Sequence, residues 1–246
     1  MDEEKDAMLE KKSSRRSFLK NSGFAVGGLV IGGSLGSLLT KKGDTPGSSV
    51  STTNGGQADF TEALQFFRRK SEFDAIAAAM DVIYPEDSNG PGAIALNAPY
   101  YLDKQLEGQW GTNSHEYRKA PFQPGDTPLN NRAIFIEGAR KLNELAKSEY
   151  EASSFAGLEE EQKIAILQKL EAGEVEMNLV SSAEFFVLLR SATLQGCFCD
   201  PLYGGNKNMA GWDMKEFPGA QMSYTAYTKE EEFIKIKPIS LGGHSH

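Results

Sequence analysis

The chain has 246 residues, of which 39% are hydrophobic, 24% charged and 10% aromatic; this excludes a collagen, a coiled coil and wholesale disorder, and its length allows one or two domains. Residues 1–44 are slightly basic, whereas the remainder holds 18 basic and 28 acidic groups, a net charge of −10 that argues against binding nucleic acid. Two Cys and three His are too few for a disulfide scaffold or for a four-Cys zinc or iron–sulfur site.

Residues 1–20 are strongly charged and contain Ser14-Arg15-Arg16-Ser17-Phe18-Leu19-Lys20. An uncharged, Gly-rich run from Phe24 to Leu39 follows, and Lys41-Lys42 closes it. A basic stretch before an apolar one is the layout of an export signal. The pair Arg15-Arg16, with Phe18, Leu19 and Lys20, resembles the twin-arginine signal of bacterial folded-protein export. Six Gly between residues 23 and 36 would cost a soluble helix about 1 kcal/mol each relative to Ala, so a buried N-terminal helix is disfavoured. No A-x-A site lies between Leu35 and Ser51, and no Cys follows the apolar run to carry a lipid. Cleavage at an atypical site and retention as an N-terminal anchor both stand open. Either way the chain is expected outside the cytoplasm, at the outer face of the cytoplasmic membrane, in the periplasm or at the cell surface. Residues 43–58, rich in Gly, Ser and Thr, read as a flexible tether. Twin-arginine export carries folded proteins, so this chain binds a cofactor itself or travels with a subunit that does.

The body reads as helices and long loops, which places it in the mainly α class. Apolar residues from Phe60 to Ile83 recur at helical spacing until Pro85 stops them. Turn residues fill 85–99, and Ala98 to Leu106 reads as a short helix. Residues 107–128 read as irregular. Asn130 to Tyr150 is an amphipathic helix, Phe155 to Leu170 another, with Glu159 to Glu161 in its first turn where acid suits the dipole. Ser182 to Leu194, with Phe185, Phe186, Leu188 and Leu189, is the expected core helix. Residues 196–227 are rich in Gly, Pro and aromatics, and Phe233 to Ile239 alternates weakly, as a short strand or an extended arm would.

Few residues carry chemistry. No dinucleotide fingerprint, Walker loop or C-x-x-C-H haem attachment occurs in the body. His115 is the one His inside the body and lies in a polar loop without a nucleophile motif. His244 and His246 form an H-x-H at the tail. Cys197 and Cys199 are too close in sequence for an unstrained bond to each other. Either both stay reduced and buried, or one pairs with a Cys of another subunit. The block from Leu194 to Asn206, followed by Trp212 and Phe217-Pro218-Gly219, has two readings: an ordered loop capping the last helix, or an aromatic partner surface. On the second, Tyr203 and Trp212 are the anchors, and Gly204-Gly205-Asn206 sets the backbone between them.

The order of these segments resembles the small (third, gamma) subunit family of gluconate 2-dehydrogenase and related FAD-dependent sugar and polyol dehydrogenases. The resemblance rests on Ser14 to Lys20, Ile83-Tyr84-Pro85 with Pro91-Gly92-Ala93, and Phe185-Phe186 through Thr193. Above all it rests on Gly196, on Asp200-Pro201-x-Tyr203-Gly204-Gly205-Asn206, on Trp212 and on Phe217-Pro218-Gly219. It implies a large partner subunit that holds FAD and oxidises the sugar, and in some complexes a multihaem cytochrome c subunit. The small subunit would carry no catalytic residue, cofactor or metal of its own. It would supply the twin-arginine signal to the export machinery and support maturation of the flavoprotein, meeting it through Asp200, Pro201, Tyr203, Gly204, Gly205, Asn206 and Trp212. The organisation expected is a signal or anchor at 1–42, a tether at 43–58, a helical domain at 59–228 and a tail at 229–246. The rivals are a free-standing exported enzyme built on His115 and a surface-anchored ligand-binding module that uses the Tyr203–Trp212 loop.

Overall fold

Helical spacing of apolar residues dictates most of the architecture. The computed structural model describes residues 62–116, 126–228 and 234–243. The twin-arginine segment around Arg15 and Arg16, the apolar run, the tether and the terminal His244 and His246 lie outside the described residues. Among the described residues there are seven α-helices and no strand, so the mainly α class holds. They are α1 (Lys70–Ile83), α2 (Ala98–Glu107), α3 (Gln109–Thr112), α4 (Asn131–Tyr150), α5 (Glu160–Glu171), α6 (Ser182–Phe198) and α7 (Ala210–Met214).

The core helix is α6. Its start is set by Ser181, whose hydroxyl accepts the Glu184 N–H at 3.1 Å and so satisfies one donor of the first turn. Phe185, Phe186, Leu189, Ala192, Gly196 and Cys197 are buried, and the helix lies against α1, α2, α4, α5 and α7. Phe185 meets Phe135 of α4 edge-to-face with ring centroids 5.9 Å apart, both rings shut off from solvent. Burying each such ring is worth ~1.5–3 kcal/mol. Against α2 the approach is closer still. A Cβ on Gly196 would lie 2.8 Å from both Cα and Cβ of Ala98, so only glycine permits this crossing.

Two stretches depart from their expected form. Periodicity predicts helix from Phe60, but α1 begins at Lys70. The reason lies on α2. The fully buried carboxylate of Asp103 accepts the successive backbone N–H groups of Gln65 (2.5 Å), Phe66 (3.1 Å) and Phe67 (2.9 Å). Consecutive N–H groups converging on an anion form a nest, and a nest is incompatible with helical hydrogen bonding through the same residues. Residues 107–128, expected to be irregular, contain the short α3. Asn113 ends it in the left-handed region at φ 55° and turns its Oδ1 to the Asn131 N–H at the start of α4, 2.7 Å away. Farther on, Phe155 opens a 3-10 turn (Phe155–Gly157), and α5 follows once the Gln162 side chain has accepted the Glu159 N–H at 3.1 Å.

The C-terminal segment is an extended arm and not a strand. Gly219 and Ile239 form one parallel bridge, with the Ala220 N–H donating to the Ile239 carbonyl at 2.8 Å. None of the described helices is long and apolar enough to cross a membrane.

Replacing Asp103 by Ala should strand the N–H groups of Gln65, Phe66 and Phe67, the last of them buried, while leaving the helices' own apolar contacts in place. Hydrogen bonds to charged groups contribute ~1.5–3 kcal/mol each, so a stability loss of about 3 kcal/mol or more is expected in denaturant melts. A melt matching the unaltered protein would remove the nest from the account of why α1 starts late.

Candidate partner interface

The end of an α-helix leaves its last carbonyls without partners, and how α6 solves this builds the loop that follows. The Cys199 N–H closes onto the Gln195 carbonyl at 2.8 Å. The Gly196 carbonyl accepts the Asn206 N–H, also at 2.8 Å. The Phe198 carbonyl accepts the indole N–H of Trp212 at 2.7 Å. Asn206 itself is fully buried at φ 45°, where its amide nitrogen donates to the Cys199 carbonyl and its amide oxygen accepts the Gly211 N–H, each at 2.8 Å. One side chain thus joins the end of α6 to the first turn of α7. Gly205 is required by the same knot, because a Cβ there would lie 2.2 Å from the Gly196 carbonyl oxygen.

Asp200 organises the outer rim. It precedes Pro201, the arrangement of a cap followed by proline, and its carboxylate accepts the Leu202 N–H at 2.9 Å to start the 3-10 turn Pro201–Tyr203. The same carboxylate accepts the Ser240 hydroxyl at 2.6 Å and the Leu241 N–H at 2.8 Å. The C-terminal arm is therefore fastened to the loop by a buried anion.

These contacts sort the residues expected to face a partner. Asp200, Gly204, Gly205, Asn206 and Trp212 are turned into the chain's own fold, and Pro201 is half-buried. For Trp212 this is a correction. Its indole is 7% exposed and stacks edge-to-face on Phe217 at 5.3 Å, because its N–H is needed at the end of α6. Tyr203 stays 50% exposed, next to Leu202 at 62%.

Tyr101, Cys199 and Tyr203 lie together beside the loop. The Tyr101 hydroxyl donates to the Gln195 side chain at 3.3 Å. Burial first, and then the neighbouring Cys199 and Tyr203, push that hydroxyl up to about 12. The two thiols are not bonded to each other; Cys197 is fully buried and Cys199 half-buried, its S–H 3.6 Å from the Gly196 carbonyl. Burial, against the lowering effect of the Gly205 N–H, pushes the Cys199 thiol from an ordinary 9.0 up to about 11. The raised value at Cys199 and the full burial of Cys197 both lower thiol reactivity.

The other residues singled out from the sequence stand apart. His115 is exposed just beyond α3, its Nε2 hydrogen-bonded to the Gln109 side chain. Among the described residues no cluster of His, Cys, Asp and Glu is placed to hold a metal ion. An open cleft of about 1220 Å³ lies between α1, the 85–95 loop and the start of α5, with Asp81, Glu86 and Glu160 around Lys163. Burial holds the Asp81 carboxyl above its ordinary value, with Lys163 working against it and Glu160 and Glu86 adding to it. Sequence reasoning missed the structural work of Asp103, Tyr101 and Gln195. Only the Asp200-Pro201 pair carried a readable cap signal.

A family model described as gluconate 2-dehydrogenase subunit 3 matches residues 70–219, more than half of the chain. The matched stretch runs from the first residue of α1 to the Gly219 bridge and contains the whole knot around Asn206. No curated protein and no solved structure matches the chain.

Three substitutions separate knot from surface. Asn206→Ala leaves the Gly211 N–H and the Cys199 carbonyl unpaired and should cost ~1–3 kcal/mol for each. Trp212→Ala should cost ~3–5 kcal/mol. Tyr203→Ala should stay within about 0.5 kcal/mol in the same melts. The raised thiol gives a pH signature. A group whose value rises on folding stabilises the fold fully below its unfolded value and loses that contribution as pH climbs through the folded one. The Cys199 contribution should therefore be intact below pH 9.0 and vanish through about 11. Slow alkylation of the native protein by iodoacetamide at pH 8, fast after unfolding, checks it.

Proposed function

The chain belongs to the gluconate 2-dehydrogenase subunit 3 family, and on that premise we propose that it is the accessory subunit of an exported, FAD-dependent sugar or sugar-acid dehydrogenase. The observation that carries this reading is the family match over a helical domain whose most specific block, 196–219, is spent on its own folding. In this reading the flavin sits on the large partner subunit, and haem c, where a third subunit is present, on that chain. This chain supplies no catalytic group. It brings the Arg15-Arg16 signal to the twin-arginine machinery and supports maturation of the flavoprotein before the pair is exported together. The complex then works at the outer face of the cytoplasmic membrane or beyond it.

Exchanging Arg15 and Arg16 together for Lys should leave both this chain and the dehydrogenase activity inside the cell, read by fractionation and a dye-linked assay. Normal export of the double variant would sink the signal assignment. The isolated chain should show no flavin or haem absorbance, and His115→Ala should leave turnover of the assembled complex unchanged. Stoichiometric flavin on the isolated chain would overturn the accessory role.

A further inference from the structure

The cleft between α1, the 85–95 loop and the start of α5 has an apolar floor and an acidic rim. Ala78, Val82 and Ile94 form the floor, and Ile94 is 46% exposed there. The rim carries the carboxylates of Asp81, Glu86, Asp87 and Glu160 against the single ammonium of Lys163, a net charge of −3 among the described lining residues. Burial holds the Asp81 carboxyl above its ordinary value against the pull of Lys163, and Glu160 and Glu86 add to the rise. A further cation at the rim would relieve that repulsion. A concave surface lined by one sign of charge also concentrates its field on whatever enters.

A segment of matching chemistry lies outside the described residues, on the same chain. From Lys11 to Lys20 it reads Lys-Lys-Ser-Ser-Arg-Arg-Ser-Phe-Leu-Lys, five cations without an acid. The acids of this terminus, Asp2, Glu3, Glu4, Asp6 and Glu10, all precede it, with Lys5 among them. Phe18 and Leu19 add an apolar pair that suits the floor. The chain also enters the domain beside the cleft. The carboxylate of Glu62, at the start of the described residues, accepts the Lys207 ammonium at 2.8 Å and the Asn97 amide at 3.5 Å. Asn97 follows Ala95 of the cleft by two residues. The 41 residues between Lys20 and Glu62 can span at most about 140 Å, ample for a return to that point.

Resting on the twin-arginine reading of this segment, we propose that before export Lys11–Lys20 docks in the cleft of its own domain, its cations on the carboxylate rim and Phe18-Leu19 on the apolar floor. The signal is thereby held on the folded body until the export machinery takes it. Other occupants are less well matched. Anionic headgroups are repelled by the rim. No cluster among the described residues is placed to hold a metal ion. A second copy, or a basic segment of a partner, must arrive from solution, whereas a segment of the same chain is present at an effective concentration of about 1 mM. With a site affinity of ~0.1 mM, that keeps the cleft filled about ten times in eleven. Docking reads the positive charge, while the export machinery reads the arginine pair itself, so one segment serves both.

The test uses the full-length chain purified from cells that lack twin-arginine export. Under native conditions trypsin should cut after Arg15 and Arg16 about tenfold more slowly in the unaltered chain than in a cleft variant, Asp81→Asn, Glu86→Gln and Glu160→Gln, while cutting at Lys41-Lys42 is alike in both. A control, Glu151→Gln, Glu174→Gln and Glu176→Gln, removes the same charge away from the cleft, toward the far end of α5, and should keep the protection. All six side chains are exposed, so both variants should melt like the unaltered chain. With p-benzoylphenylalanine in place of Phe18, light should couple position 18 to residues 78–95 or 160–163 of the same chain. Equal cutting in the unaltered chain and the cleft variant would overturn the proposal. So would coupling between two chains, coupling to another surface, or equal loss of protection in the control. A cleft variant that keeps both protection and coupling but no longer retains the co-expressed large subunit would assign the cleft to that partner instead. Exchanging Arg15 and Arg16 for Lys preserves the charge, so protection should persist while export is lost. Normal export of that variant would remove the signal reading and leave the docking standing.

Discussion

The carbonyl groups at the end of α6 are the constraint on which the rest of the molecule depends. A helix ending in the interior must find donors for its last turn or lose ~1–3 kcal/mol for each buried group left unpaired. Here the donors are a backbone N–H and a side-chain amide of Asn206 and the indole of Trp212. Because those donors come from farther along the chain, satisfying α6 obliges residues 199–212 to fold back over it. The close crossing of Gly196 on Ala98 then sets α2 against the same helix end. Loop, α2 and α7 thus share one point of attachment.

Buried carboxylates do a comparable job at both ends of the domain. Asp103 gathers residues 65–67 ahead of α1, and Asp200 gathers residues 240–241 at the far end of the arm. Each anion is compensated by donors from peripheral chain, and each would be costly to leave bare. The arrangement fastens two peripheral segments to the helical body.

The distinctive composition of a loop is a poor guide to whether it faces inward or outward. Asp200, Asn206 and Trp212 have the composition of a recognition surface, yet they are consumed by the fold. The side chains left available are the less distinctive ones, Leu202, Tyr203 and the apolar groups of the arm. Specific backbone-bonding residues build the platform, and exposed aromatic and aliphatic side chains stand on it.

The sequence by itself determined the class and most helix positions, because a 3.6-residue apolar period needs no distant partner. It also carried the family, whose model matches residues 70–219. What it left open was every choice settled by contacts distant along the chain. Whether Phe60 to Arg69 is helical depends on Asp103, more than thirty residues away. Whether Trp212 faces a partner depends on the Phe198 carbonyl, and whether residues 234–243 are a strand or an arm depends on Asp200, some forty residues back. A polar side chain in a sequence shows that it can donate or accept; only the tertiary structure decides which group is close enough to take the bond, and so which face remains for a partner.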